Sequence, residues 1–241
     1  MAVRIALNGA TGRMGTRIEA LAVGDQGVQI VRRLGRSGDV GALLDHAQAT
    51  HQVPHPSPHV VIDFSSEPGT RAAIALARGT RAALLVGTTG LSAEILHELT
   101  VLSRTNAVLV APNTSLGVAV TRRLARLAAE LLGPAGWAVD IVESHHDRKK
   151  DAPSGTALAI ARALEEGGMP VTGDRIHAIR AGDTIGEHEI RLAGPSERIH
   201  LMHQAVSRDL FAAGALRAAK WLAGRGAGSY SMEDVLGEPQ S

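Results

Sequence analysis

The sequence has no cysteine, which excludes disulfides, thiolate metal sites and a cysteine nucleophile. Aromatic residues are almost as scarce. Phe64, Trp137, Phe211, Trp221 and Tyr230 are the whole set, so the core must be built from Ala, Leu, Val and Ile, and stacking of unpaired bases has little to rest on. Neither sign of charge dominates: 25 basic residues against 24 acidic ones give +1, too balanced for a chain that gains affinity by neutralising duplex phosphates. No apolar run approaches the ~20 residues needed to cross a bilayer, and Met1-Ala2 passes straight into Val3-Arg4-Ile5-Ala6-Leu7 without the segments of a signal peptide. These absences predict a cytoplasmic protein with neither nucleic acid nor membrane as a partner.

The 241 residues, 44% of them apolar, correspond to one large domain or two small ones at roughly 150 residues per domain. The first 112 residues alternate short apolar runs, at 3–7, 28–34, 60–64, 83–86 and 108–111, with helical patterns at 13–23, 68–78, 92–104 and then 117–132. Near-continuous apolar strands separated by helices predict a doubly wound α/β domain, its parallel sheet covered on both faces. Pro54, Pro56 and Pro58 end any helix around 40–49 and leave a loop that re-enters the sheet at Val60. After residue 132 the pattern changes. A strand at 137–144, a helix at 154–166 and strands at 175–180, 187–193 and 198–206 predict a second, smaller α/β domain with a mixed or antiparallel sheet. A last helix, 209–224, precedes a short tail.

The first strand runs into Asn8-Gly9-Ala10-Thr11-Gly12-Arg13-Met14-Gly15, where a helix begins at once. Glycines in this context let the backbone approach a pyrophosphate, and the helix N-terminus offers it free N–H groups, although G-x-x-G-x-x-G departs from G-x-G-x-x-G. The second strand ends in Arg32-Arg33-Leu34-Gly35-Arg36, with no acid before Asp39 to accept a ribose 2′-hydroxyl. The reading is therefore a dinucleotide site for NADPH, with NADH possible and Arg36 the main 2′-phosphate partner. A solvated strand end is the alternative for these arginines. Two more turns, Gly87-Thr88-Thr89-Gly90 and Ala111-Pro112-Asn113-Thr114-Ser115, follow predicted strands, where open α/β sheets place ligands. They suit packing against a nicotinamide ring, yet Gly90 and Pro112 are equally compatible with plain turns.

The most informative stretch is Glu143-Ser144-His145-His146-Asp147-Arg148-Lys149-Lys150-Asp151-Ala152-Pro153-Ser154-Gly155-Thr156-Ala157. It links a strand end to a helix start, with Asp151 or Ser154 as the cap, so amides around Ser154, Gly155 and Thr156 can hold a carboxylate. Adjacent histidines on an extended chain face opposite ways, which makes a poor metal chelate, and no metal is expected. His145 suits a general acid because histidine titrates near working pH. The chain uses 22 arginines but only three lysines, two of them Lys149 and Lys150, which marks a need for a compact ammonium. A solvated loop whose charges pair with one another is the competing view. His177, His188, His200 and His203 read as surface or core histidines, and His200 and His203, an odd number apart, would face opposite sides of one strand.

Gly9 to Gly15, Gly87 to Gly90, Ala111 to Asn113 and above all H-H-x-x-K-x-D-A-P-S-G-T-A from His145 to Ala157 resemble the 4-hydroxy-tetrahydrodipicolinate reductase family, formerly called dihydrodipicolinate reductases. Gly186-Glu187-His188, Glu197-Arg198, Phe211 to Ala215 and Tyr230 to Leu236 extend the resemblance to nearly the whole chain. It implies a Rossmann-like dinucleotide-binding domain over 1–116, to which 208–241 returns, and a substrate-binding and oligomerisation domain over 117–207. It also implies a homotetramer that reduces a cyclic dicarboxylate of diaminopimelate and lysine biosynthesis with a nicotinamide cofactor. By position, His145 would donate the proton with Lys149 as partner, while His146, Ser154, Gly155 and Thr156 would hold the carboxylates. Gly9, Ala10, Thr11, Gly12, Arg13, Met14, Arg36, Gly87, Thr88, Thr89, Ala111, Pro112, Asn113 and Thr114 would contact the cofactor. Members that accept NADH often carry an acid in place of Gly35, which favours NADPH here. Thr114 replaces a bulkier side chain, Ala119 replaces an asparagine, and 37–58 is short. Two other functions stay open at this level: an NADP-dependent dehydrogenase of another small carboxylate, and a non-catalytic dinucleotide sensor. The sensor would tolerate erosion of the His-Lys-Gly-Thr segment, which here is whole.

Overall fold

The computed structural model describes residues 1–35, 38–39 and 56–237; Arg36, the stretch 40–49 that the prolines were expected to close, and Pro54 lie outside the described residues. The chain divides into two compact units, one formed by Met1–Ser115 with Asp209–Ser241 and the other by Leu116–Arg208.

In the first unit the runs Ile5-Ala6-Leu7, Val60-Val61-Ile62, Leu84-Leu85-Val86 and Val108-Leu109 are buried to the last residue. Strands that are apolar on both faces need cover on both, which parallel crossovers provide. The elements are β1 (Val3–Asn8), α1 (Arg13–Val23), β2 (Val28–Gly35), β3 (Gly38–Asp39), β4 (Val60–Asp63), α2 (Glu67–Thr80), β5 (Ala83–Val86), α3 (Ala93–Leu102) and β6 (Ala107–Val110). From α4 (Leu116–Leu132) onward the chain belongs to the second unit. It returns with α6 (Asp209–Leu222), β11 (Gly228–Tyr230) and α7 (Met232–Leu236). The sheet order is β11-β6-β5-β4-β1-β2-β3, parallel except for β3, which runs antiparallel to β2.

One face packs Ala6, Val61, Leu84, Val86 and Val108 against Ala73, Ile74 and Ala77 of α2 and Ile95, Leu99 and Leu102 of α3. Helix α6 lies over the strands on the other side, alongside α1. Strand order reverses between β1 and β4, so the carboxyl ends of these strands flank the crevice where such sheets bind ligands. The stretch after the last predicted helix, read from the sequence as a short tail, carries two further elements. Gly228–Tyr230 adds an edge strand beside β6, and Ser231 with Asp234 forms a capping box on α7. A three-residue strand with no apolar run gives no periodic signal.

The second unit is a four-stranded mixed sheet in the order β10-β9-β7-β8, formed by β7 (Ala138–His145), β8 (Ile176–Arg180), β9 (Glu187–Ala193) and β10 (Arg198–Gln204). Only β7 and β8 run parallel; β9 pairs antiparallel with both neighbours. The helices α4 and α5 (Gly155–Glu166) bury Ala125, Ala129, Ala157, Ile160 and Leu164 against Val139, Ile141, Ile190 and Leu192. Alternation along the strands then brings Glu143, His145 and His188 onto the same face. The apolar layer thus gives way to a polar one at the end of the sheet where α5 begins.

Candidate active site

In the first unit the glycine turn is shaped by contacts that no side chain would permit. Gly9 adopts φ +81°, and a Cβ there would lie 2.2 Å from the carbonyl oxygen of Phe64; a Cβ on Gly15 would lie 2.2 Å from the carbonyl of Gly9. The amides of Gly9 and Ala10 donate to the Leu34 carbonyl at 2.9 and 3.1 Å, tying the turn to the end of β2. Gly12 precedes α1 without a side-chain cap, and no acid stands in the first helical turn. The protein itself leaves the positive end of α1 uncompensated, with backbone close at hand, which fits the pyrophosphate of a dinucleotide.

Behind this turn lies a buried carboxylate. Asp63, fully buried at the end of β4, accepts from Asn8 Nδ2 at 2.7 Å, Thr70 Oγ1 at 2.7 Å and Thr88 Oγ1 at 2.7 Å, and from Ser65 Oγ. A buried charge is tolerated only when its lone pairs are filled in this way. The network ties the ends of β1, β4 and β5 together. It also engages one predicted cofactor residue: the Thr88 hydroxyl donates to Asp63 and accepts from the Ser65 amide at 2.9 Å, whereas Thr89 is exposed. Gly87 leaves the space that the Phe64 ring fills, since a Cβ would come within 2.1 Å of it. In the third turn Asn113 Oδ1 accepts from the Ser115 amide at 2.9 Å, while buried Thr114 donates to the Phe211 carbonyl of α6 at 2.7 Å. Thr114 therefore braces α6, and only its backbone is left for a ligand. At the end of β2, Arg33 pairs with Glu19 of α1 at 2.5 Å.

The second unit gathers most of the predicted catalytic segment. Ser154 caps α5, its hydroxyl accepting from the Ala157 amide at 3.1 Å and contacting His188 Nε2 at 3.1 Å. Fully buried Glu143 receives the Ser154 amide at 3.1 Å, both terminal nitrogens of Arg180 at 3.0 and 3.1 Å, and Nδ1 of His145. The His188 ring meets the His145 ring edge-on at 5.2 Å. His145 Nε2 faces Gly186, where a Cβ would lie only 3.1 Å away. Lys149 pairs with Asp151 at 2.8 Å, as the solvated-loop view expects, but is mostly shielded from solvent. His146 Nδ1 is buried and has no hydrogen-bond partner.

Electrostatics follow from this packing. Burial pushes His145 below the usual histidine range; Glu143 opposes that shift, and Lys149 and Arg180 reinforce it. Burial likewise carries His188 down to about 4, so it is neutral near neutral pH. Burial works to raise the Glu143 carboxyl, but Arg180 and His145 prevail and hold it below the ordinary carboxylate value.

Sequence reasoning assigned no role to Glu143, Arg180 or His188. The signal for Glu143 was present, because residues two apart on a strand share a face and the motif reads Glu-x-His. Arg180 sits opposite His145, and His188 opposite Glu143, only through strand register, which spacing does not reveal. His200 and His203 do face opposite ways: His200 pairs with Glu189 at 2.6 Å on the outer face, and His203 stands across from His188. Among the described residues no cluster of three or more His, Asp or Glu could hold a metal ion, and no helix is long and apolar enough to cross a membrane.

Comparison with known proteins places both units. Residues 3–114 match the family described as dihydrodipicolinate reductase, N-terminus, and residues 117–236 the family described as dihydrodipicolinate reductase, C-terminus. The chain is 39% identical over 266 residues to the 4-hydroxy-tetrahydrodipicolinate reductase of Aquifex aeolicus strain VF5, covering 98% of this chain and 100% of the relative. It is 37% identical over 268 residues to the enzyme of the same name from Myxococcus xanthus strain DK1622, covering 98% of each. Among solved structures, a dipicolinate-bound dihydrodipicolinate reductase from Paenisporosarcina sp. TG-14 superposes with a TM-score of 0.75 at 23% identity, covering 97% of this chain and 99% of that one. That last likeness is one of fold.

Proposed function

The chain belongs to the dihydrodipicolinate reductase family, and from that premise we propose how its residues divide the reduction of 4-hydroxy-tetrahydrodipicolinate to tetrahydrodipicolinate. The activity is a nicotinamide-dependent reduction in diaminopimelate and lysine biosynthesis. In balance, the 4-hydroxyl leaves as water together with a hydrogen from the adjacent ring carbon, and a hydride and a proton are then added to the resulting conjugated ring. The nicotinamide supplies the hydride when bound, and the remaining tasks fall to side chains and backbone.

The first unit is the dinucleotide-binding unit. Gly9, Ala10, Thr11, Gly12, Arg13 and Met14 hold the pyrophosphate at the open end of α1, supported by the glycine contacts that bring the backbone close. Gly87, Thr88, Thr89, Ala111, Pro112, Asn113 and Thr114 border the nicotinamide. Thr88 and Thr114 act there through their backbone, their side chains being engaged elsewhere. NADPH is the preferred reductant, with Arg36 on the 2′-phosphate; the pairing of Arg33 with Glu19 makes that arginine a poor candidate.

The second unit binds the substrate and carries the oligomer contacts of a homotetramer. The carboxylates of the substrate rest on His146, Ser154, Gly155 and Thr156 at the start of α5, where the unpartnered buried His146 Nδ1 offers a polar group awaiting a ligand. His145 donates the proton from Nε2, and the Lys149 ammonium stabilises negative charge developing on the conjugated ring. One observation carries the assignment. Nδ1 of His145 is tied to Glu143, which leaves a single nitrogen free to act. The cytoplasm is the compartment proposed for this biosynthetic step.

The test is an assay coupled to condensation of pyruvate with aspartate semialdehyde, run with NADPH and NADH side by side. NADPH should give the higher kcat/KM, Arg36→Ala should lower that ratio, and His145→Ala and Lys149→Ala should lose turnover while keeping the fold. Full turnover in the double His145 and Lys149 variant would refute the assignment; an unchanged cofactor ratio in Arg36→Ala would refute the role of that arginine.

A further inference from the structure

We infer that Glu143 and Arg180 are positioning residues that make His145 a one-ended acid, the carboxylate holding a proton on Nδ1 and the guanidinium preventing that carboxylate from becoming a base. The inference rests on His145 as the proton donor proposed above, although neither residue touches the reacting atoms.

The hydrogen-bond inventory carries it. A carboxylate has about four lone-pair sites, and all four of Glu143 are filled. Oε1 accepts from the Ser154 amide and Arg180 Nη2; Oε2 accepts from Arg180 Nη1 and meets His145 Nδ1. Arg180 is saturated in the same way at its two terminal nitrogens. Beyond Glu143, Nη1 donates to the Ile179 carbonyl at 2.6 Å and Nη2 to the Asp151 carbonyl at 2.6 Å. No terminal N–H of Arg180 is left for a substrate carboxylate, so its charge acts on Glu143. A carboxylate gripped by two guanidinium hydrogens and an amide stays ionised and can only accept. The hydrogen between it and His145 therefore belongs to Nδ1, and Nε2 is the atom that gains and loses the working proton.

Gly186 keeps Nε2 accessible, since any side chain there would press on it. The charged or titratable groups facing His145 are Glu143 from β7, Lys149 from the following loop, Arg180 from β8 and His188 from β9, with His203 of β10 beyond His188. Within this set the anion favours the imidazolium and the cations oppose it. The pair thus sets the acidity from both sides.

The experiment is the pH profile of kcat/KM for two variants that break the same ion pair from opposite ends. The limb in question is the fall of activity with rising pH as the His145 imidazolium is lost. Glu143→Gln should move it to lower pH, and Arg180→Gln to higher pH, each by about one unit; Arg180→Lys should return it toward the wild-type position. A purely structural pair would instead lower turnover evenly across pH. Shifts in the same direction, or none, would overturn the inference.

Should Glu143→Gln fail to fold, the Arg180 variants and nitrogen NMR of the wild-type imidazole still decide. The neutral His145 ring should carry its hydrogen on Nδ1, and finding it on Nε2 would also overturn the inference. Turnover surviving in His145→Gln would refute the proton-donor reading alone, because the NMR tautomer reports the Glu143–His145 arrangement independently.

Discussion

At the residue scale the chain places ionisable groups where apolar ones would pack, and each placement has a measurable consequence. His188 continues the buried side of β9 after Leu192 and Ile190, and is only 3% exposed. The unfolded chain takes up a proton at this histidine near pH 6.5, whereas the folded protein does so only near 4. The folded state is therefore favoured above about 6.5, and the advantage is lost as pH falls toward 4, by roughly 3 kcal/mol in all. His145 and His203 shift the same way, so the acid limb is shared. Urea unfolding at about pH 7 and pH 5 should show His188→Gln losing less stability between the two than the wild type. Equal losses would mean that His188 is not the main contributor. The histidine was visible in the sequence, but its burial was not, because a single His carries no period and its neighbours across the sheet come from other strands.

At the element scale, the parallel strands were legible because each is a short apolar run between helical patterns, and the packing confirms why. Leu84-Leu85-Val86 and Val60-Val61-Ile62 alternate between the layer under α2 and α3 and the layer facing α6. The start of α5 was legible too, although the sequence left its cap open between Asp151 and Ser154, and Ser154 is the residue that fills the role. What spacing could not show is how closely elements approach. Gly214 illustrates this: a Cβ on it would sit 1.9 Å from the Thr114 carbonyl, so α6 lies directly against the turn that follows β6. Gly214→Ala should force that helix outward, lower the melting temperature by several degrees and, given the cofactor contacts proposed for the 111–115 turn, weaken dinucleotide binding. A variant that melts and binds like the wild type would show that the contact yields without cost.

At the scale of the whole molecule, the first unit is discontinuous in sequence and the second is a single inserted stretch. Helix α6 buries Ala212, Ala215, Leu216, Ala218, Ala219 and Leu222, and β11 completes the sheet edge beside β6. Truncation after Arg208 should therefore expose one side of the parallel sheet and leave β6 an open edge, giving an aggregating product with no cooperative melt. A soluble truncated chain with a wild-type unfolding profile would refute that dependence. The sequence announced the change of architecture after residue 132, where helix-separated strands give way to consecutive ones. The part played by 228–236 was hidden, because an edge strand of three residues borrows its stability from its neighbour.

The discontinuity also dictates a timetable for synthesis. As the ribosome delivers the chain, the whole of Leu116–Arg208 is made between β6 and α6, so the outer unit waits for its remaining elements while the inserted one is synthesised. The outer unit closes only when the last segments arrive. The nascent sheet must spend that interval with one side uncovered, which makes synthesis of the inserted stretch the period when a chaperone would have most to protect.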